Sequence, residues 1–108
     1  MTESEFLLIA EQTLQQIQSA LDRLDEDWDV DRLGNVLTVE FDDGFQIVMN
    51  KQTPTRQIWL ASRKGGMHFQ YQDGRWLEEN SQKELFEQLS SLITLKLGHR
   101  IELECSCD

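Results

Sequence analysis

Phe6, Ala10, Thr13, Ile17, Leu21 and Leu24 recur in steps of three and four, the spacing that gathers side chains on one face of an α-helix. Thr2 followed three residues later by Glu5 is a capping-box pattern, so a helix is predicted over about residues 3–24. Its opposite stripe, Glu11, Gln15, Gln18, Asp22 and Asp25, is predicted to point away from the core. From Val36 the period drops to two. Leu37, Val39 and Phe41 share one side of a predicted strand, with Val36, Thr38 and Glu40 on the other. Asp43-Gly44, a favoured hairpin dipeptide, leads to a second strand in which Phe45, Ile47 and Met49 alternate with Gln46, Val48 and Asn50. The single proline, Pro54, lies in a polar connection before a third strand, Gln57–Ser62. A turn at Gly65-Gly66, a fourth strand over 67–72, a hairpin at Asp73-Gly74 and a short fifth strand at Arg75-Trp76-Leu77 complete a meander. Ser81 with Glu84 repeats the capping-box pattern ahead of Leu85, Phe86, Leu89, Leu92 and Ile93, a second helical stripe that Gly98 can end. Residues 100–105 read as a weak strand or an extended tail.

The order helix, strands, helix predicts one α+β domain over residues 1–108, a two-layer sandwich with two helices on one face of an antiparallel sheet of five or six strands. Leu37, Val39, Phe41, Phe45, Ile47, Met49, Ile58 and Leu60 are then assigned to the core. Thr38, Glu40, Gln46, Val48, Asn50, Gln57 and Trp59 fall on the face left to water. Trp59 among such neighbours has two readings: an aromatic anchor for a partner, or a ring packed beneath the C-terminal tail.

Composition sharpens this picture. The 108 residues can bury roughly 65% of the unfolded surface, and three Trp and five Phe supply one core. Twenty acidic residues against ten basic ones give a formal net charge of −10. That field repels nucleic acid and anionic membranes and attracts cations and basic protein patches. No apolar run approaches the length needed to span a bilayer. Met1 to Glu5 has no export-signal character and the only cysteines are Cys105 and Cys107, so a reducing cytoplasm is expected.

The densest acid lies at Asp22, Asp25, Glu26, Asp27, Asp29 and Asp31, around the end of the first helix and the start of the sheet. Carboxylates alone make hard, weakly selective sites for iron and other divalent cations, and a solvated charge run is the plain alternative. Acid at a helix C-terminus also opposes the macrodipole. His68 and His99 have no acidic sequence neighbour and read as ordinary surface or core groups. Cys105-Ser106-Cys107 offers half of a zinc site and no complementary pair exists elsewhere, so it reads as a flexible end. No phosphate loop or nucleophile, base and orienter set is present.

Asn50-Lys51-Gln52-Thr53-Pro54-Thr55-Arg56-Gln57-Ile58-Trp59-Leu60-Ala61, with Gly65-Gly66-Met67-His68-Phe69, closely resembles the central block of the frataxin family, particularly its bacterial CyaY-type members. The likeness extends to Ser4-Glu5-Phe6, to Val36 through Phe41 and to the second helix. It implies a non-enzymatic, iron-binding partner of the cysteine desulfurase and scaffold of iron-sulfur cluster assembly, monomeric or oligomerising with metal. The acidic ridge carried over comprises Glu3, Glu5, Glu11, Asp22, Asp25, Glu26, Asp27, Asp29, Asp31, Glu40, Asp42 and Asp43. Of these, Glu3, Glu11, Asp22, Asp25, Glu26, Asp27, Asp29 and Asp31 are expected to hold weakly bound iron. Glu40, Asp42 and Asp43, with Asn50, Gln57 and Trp59, are expected to meet partners. Iron delivery to the scaffold and ferroxidase activity stand as the alternative functions.

Overall fold

The computed structural model describes residues 1–24 and 26–103. Helix α1 (Glu3–Asp22) starts at a reciprocal cap: the Thr2 amide donates to Glu5 Oε1 at 3.0 Å and the Glu5 amide to Thr2 Oγ1 at 3.1 Å. Strands β1 (Trp28–Leu33), β2 (Val36–Phe41), β3 (Gln46–Gln52), β4 (Gln57–Ser62), β5 (Gly65–Gln72) and β6 (Arg75–Glu78) follow, and helix α2 (Leu85–Leu97) closes the series. The strands pair in chain order as one antiparallel sheet, an α+β sandwich with both helices on one face.

All eight residues of the sheet region assigned to the core are buried, Phe45 from just before β3, joined by Phe6, Ala10, Leu14, Ile17 and Leu21 of α1, by Phe69 and Trp76, and by Leu85, Leu89 and Ile93 of α2. Thr13 interrupts the apolar stripe of α1 because its hydroxyl accepts the Trp76 indole N–H at 2.8 Å while donating to the Ile9 carbonyl. The bond ties α1 to the last strand across the core.

Three local expectations are corrected. An additional strand, β1, precedes Val36 and forms one sheet edge. Gly65 and Gly66 lie inside β5, so the β4–β5 turn is Arg63-Lys64, with Ser62 opposite Gly65. The N-cap of α2 is Glu84, whose carboxylate accepts the amides of Phe86 and Glu87, and not Ser81. Helix cannot begin earlier because residues 79–83 turn back onto β6. The Glu78 amide donates to the Lys83 carbonyl at 2.8 Å, and the buried Glu78 carboxylate accepts the amides of Ser81 and Asn80. Those backbone donors, Ser81 first, hold the Glu78 carboxyl below its ordinary range.

Residues 100–103 form no strand. They run along α2, where the Ile101 amide donates to Thr94 Oγ1 and the Leu103 amide to Ser90 Oγ, each at 2.9 Å, burying both apolar side chains. Asp25, Cys105 and Cys107 lie outside the described residues.

Candidate functional site

Strand β1 sends Trp28, Val30 and Arg32 toward the helices and Asp29, Asp31 and Leu33 to the open face. Its register places Asp29 directly opposite Glu40 and Asp31 opposite Thr38. Two exposed carboxylates opposed across a strand pair repel one another, a cost of about 0.2–1 kcal/mol. Around them Glu26, Asp27, Asp29, Glu40 and Asp42 line an open groove of 610 Å³ with Trp28 and Phe41. Among the described residues Asp22, Asp27, Asp29, Asp31, Glu40 and Asp42 form no ion pair. Glu26 faces His99 Nε2 at 3.6 Å.

Other members of the expected ridge are elsewhere or already engaged. Glu3 and Asp22 stand at opposite ends of α1, about 28 Å apart at 1.5 Å per residue, and share no ligand. Glu5 serves the α1 cap, whose amide and hydroxyl lower its carboxyl pKa. Glu11, expected on the outward stripe, is drawn against the sheet edge by Arg32 at 2.5 Å and Lys51 at 3.0 Å. Hydrogen bonds from these two cations, Arg32 first, hold its carboxyl at about 2. Asp43 is bound by Lys96, which lowers its pKa, and its Oδ1 also accepts the Phe45 amide in the β2–β3 turn. No three described His, Cys, Asp or Glu side chains converge on one point suited to a metal ion. The acids facing solvent on β1 and β2 suit weak, hydrated cation contact over a surface, the chemistry expected of carboxylates without imidazole or thiolate.

The open face holds a second feature. Register puts Asn50 opposite Trp59 and Trp59 opposite His68, and the Trp59 and His68 rings stack at 4.3 Å with planes 13° apart. The Trp59 indole N–H donates to Gln57 Oε1 at 2.8 Å, Gln57 Nε2 donates to Glu79 Oε2 at 3.2 Å, and His68 Nδ1 lies 3.3 Å from Glu79 Oε1. Gln57, expected in water, is only 6% exposed because this ring of contacts encloses it. The C-terminal tail packs on α2 as far as Leu103, so Trp59 is not covered by the described part of it. His68 and Glu79 belong to this feature although neither was a candidate from sequence. The sequence neighbours of His68 are not acidic, and its carboxylate partner arrives from the segment after β6.

The family model for the Frataxin-like domain matches residues 1–99. The chain belongs to the frataxin family. It is similar to the iron-sulfur cluster assembly protein CyaY of Ralstonia nicotianae, with 46% identity over 98 residues and 87% of each chain covered. Its similarity to the protein of the same name in Paraburkholderia phymatum is 40% over 103 residues, covering 95% of this chain and 98% of that one. Among solved structures, the frataxin of Psychromonas ingrahamii superposes with a TM-score of 0.89 at 32% identity, covering 94% of this chain and 97% of that one. The trimeric frataxin of the yeast Saccharomyces cerevisiae, complexed with ferrous iron, gives 0.73 at 29% identity over 83% and 86%. The frataxin fold is thus shared by this chain and by relatives of both bacterial and yeast origin. No helix among the described residues is long and apolar enough to cross a membrane.

Proposed function

We propose that this frataxin acts in iron-sulfur cluster assembly as a regulatory adaptor that docks on the cysteine desulfurase and scaffold. The observation that carries the reading is the unneutralised acid of β1 and β2, with Asp29 set against Glu40, on the same sheet face as the Trp59 platform. A basic patch on the desulfurase would relieve that repulsion and be steered toward it from a distance. Asn50, Gln57 and Trp59 supply short-range fit to the scaffold or desulfurase.

Iron is a weakly held ligand of the acidic edge. Glu26, Asp27, Asp29, Asp31, Glu40 and Asp42 are the donors the fold leaves near one another, and Asp22 and Asp25 adjoin them in sequence. Glu3 is remote, and Glu11 is committed to Arg32 and Lys51. Iron bound there lowers the negative field, so occupancy and docking are linked. A second reading, delivery of ferrous iron to the scaffold, draws support from the ferrous complex of the yeast relative. Ferroxidase activity draws the least support, because two irons about 3.5–4 Å apart need convergent ligands. Among the described residues no such convergence occurs.

Desulfurase binding measured by calorimetry across a salt series tests the adaptor reading. Affinity is expected to fall steeply with salt and to be lost when Glu26, Asp27 and Asp29 are replaced by Lys. Salt-independent affinity would remove its basis. Variants that lose iron but still dock separate the two readings: unchanged assembly kinetics exclude delivery.

A further inference from the structure

Gln57 sits between two demands. Its amide must turn its oxygen toward the Trp59 indole N–H, a group that only donates, and its NH₂ toward Glu79, a carboxylate that only accepts. Were the amide reversed, NH₂ would face N–H on one side and oxygen would face carboxylate on the other. The Glu79 carboxylate therefore sets the polarity of the buried Gln57 amide, and through it the orientation of the indole. Its second oxygen faces His68, whose ring stacks on Trp59, so one carboxylate braces the indole by its edge and by its face. Glu79 itself is positioned by its backbone amide, which donates to the His68 carbonyl at 3.0 Å and extends the β5–β6 ladder by one bond.

We infer that Glu79 is a positioning residue for partner recognition, holding Trp59 in a single preorganised orientation through Gln57 and His68. This rests on the reading of the Trp59 face as a docking surface. A preorganised ring spends less ordering entropy on association than a mobile one, and a wrong indole orientation offers a partner the wrong shape.

The test compares Glu79→Ala with Glu79→Gln, which remove the same charge and so share any long-range electrostatic effect. Only Gln can still accept from the Gln57 NH₂ while presenting its own NH₂ to His68. The readouts are the ¹H–¹⁵N signal and solvent exchange of the Trp59 indole, affinity for the desulfurase, and thermal unfolding. Glu79→Gln is expected to keep the indole signal and the affinity within about twofold, whereas Glu79→Ala moves the signal, speeds exchange and weakens binding roughly five- to tenfold. Glu79→Gln should unfold as the wild type does, whereas Glu79→Ala should unfold at a slightly lower temperature, because the buried Gln57 NH₂ loses its acceptor. In a Trp59→Ala background Glu79→Ala should have no further effect on binding. Equal affinity of the two variants, or a loss that persists without Trp59, overturns the assignment. If Trp59→Ala binds the desulfurase normally, the docking reading fails instead. The positioning role is then judged on the indole signal alone, and an unmoved signal in Glu79→Ala overturns it.

Discussion

Glu11 reaches from α1 to the sheet, where its carboxylate bridges Arg32 and Lys51. On a helical wheel it is one more acid on the outer stripe, but Arg32 and Lys51 emerge on the helix-facing side of β1 and β3 and need an anion. The Lys51 side chain is only 8% exposed and that of Glu11 38%, so the group works as a lid over two sequestered cations. Removing it leaves a nearly buried ammonium unpaired. The partial exposure of the carboxylate screens the interaction, so Glu11→Gln is expected to cost about 1–2 kcal/mol in urea unfolding, less than a fully buried pair. The sign with pH follows from the depressed pKa. Ionised Glu11 contributes fully above its unfolded value of 4.5, and the contribution is lost as pH falls toward about 2. The difference in stability between wild type and Glu11→Gln should therefore be constant at neutral pH and shrink between about pH 4.5 and 2. A difference that grew on acidification would exclude the ion pair as its source.

At the scale of elements, periodicity carried most of the fold. The α1 cap, the alternation in β2 and β3, and the Asp-Gly turns were legible because each rests on local chemistry. Strand β1 was not, since its alternation is inverted at one end: Arg32 faces inward to meet Glu11, and Leu33 faces outward as the last residue of the strand. A run of acids there reads as a solvated loop until a partner strand is known. The turn after β4 mattered more. Two glycines pointed to Gly65-Gly66, but with Arg63-Lys64 as the turn Trp59 falls opposite His68. Displacing the turn by two residues would have set Trp59 opposite Gln72, and the stacked platform was invisible for that reason. The α2 cap gives this level its test. Glu84→Ala should destabilise by about 0.5–2 kcal/mol, while Ser81→Ala should cost less, its hydroxyl bonding the Lys83 amide and the Glu78 carboxylate and no helix amide. Denaturant midpoints of the two variants decide, and a larger loss at Ser81 would restore the sequence-based cap.

Across the whole molecule the excess charge is unevenly spent. Glu11, Asp43 and Glu102 have basic partners, and Glu5, Glu78 and Glu84 satisfy backbone donors, so part of the acid is structural. What remains unpaired on β1 and β2 has a structural reading too, because charge on an edge strand discourages pairing with a second sheet. The two readings predict different things for Asp29. Replacing it by Lys turns a repelling cross-strand pair into an attracting one, so Asp29→Lys is expected to raise stability by roughly 0.2–1 kcal/mol. An edge Lys guards against aggregation as well as an Asp does, so protection of the edge predicts gain without loss. Docking predicts that the same variant binds the desulfurase several-fold more weakly, the deficit shrinking as the Debye length contracts from about 30 Å at 0.01 M salt to about 8 Å at 0.15 M. Glu87→Lys is the matched control. It changes the net charge of −10 by the same two units from an exposed position on α2, in the helix layer. A stabilised Asp29→Lys that binds poorly beside a Glu87→Lys that binds well assigns the cross-strand repulsion to recognition. Equal losses from both would make total charge, and not its placement on this edge, the quantity that matters.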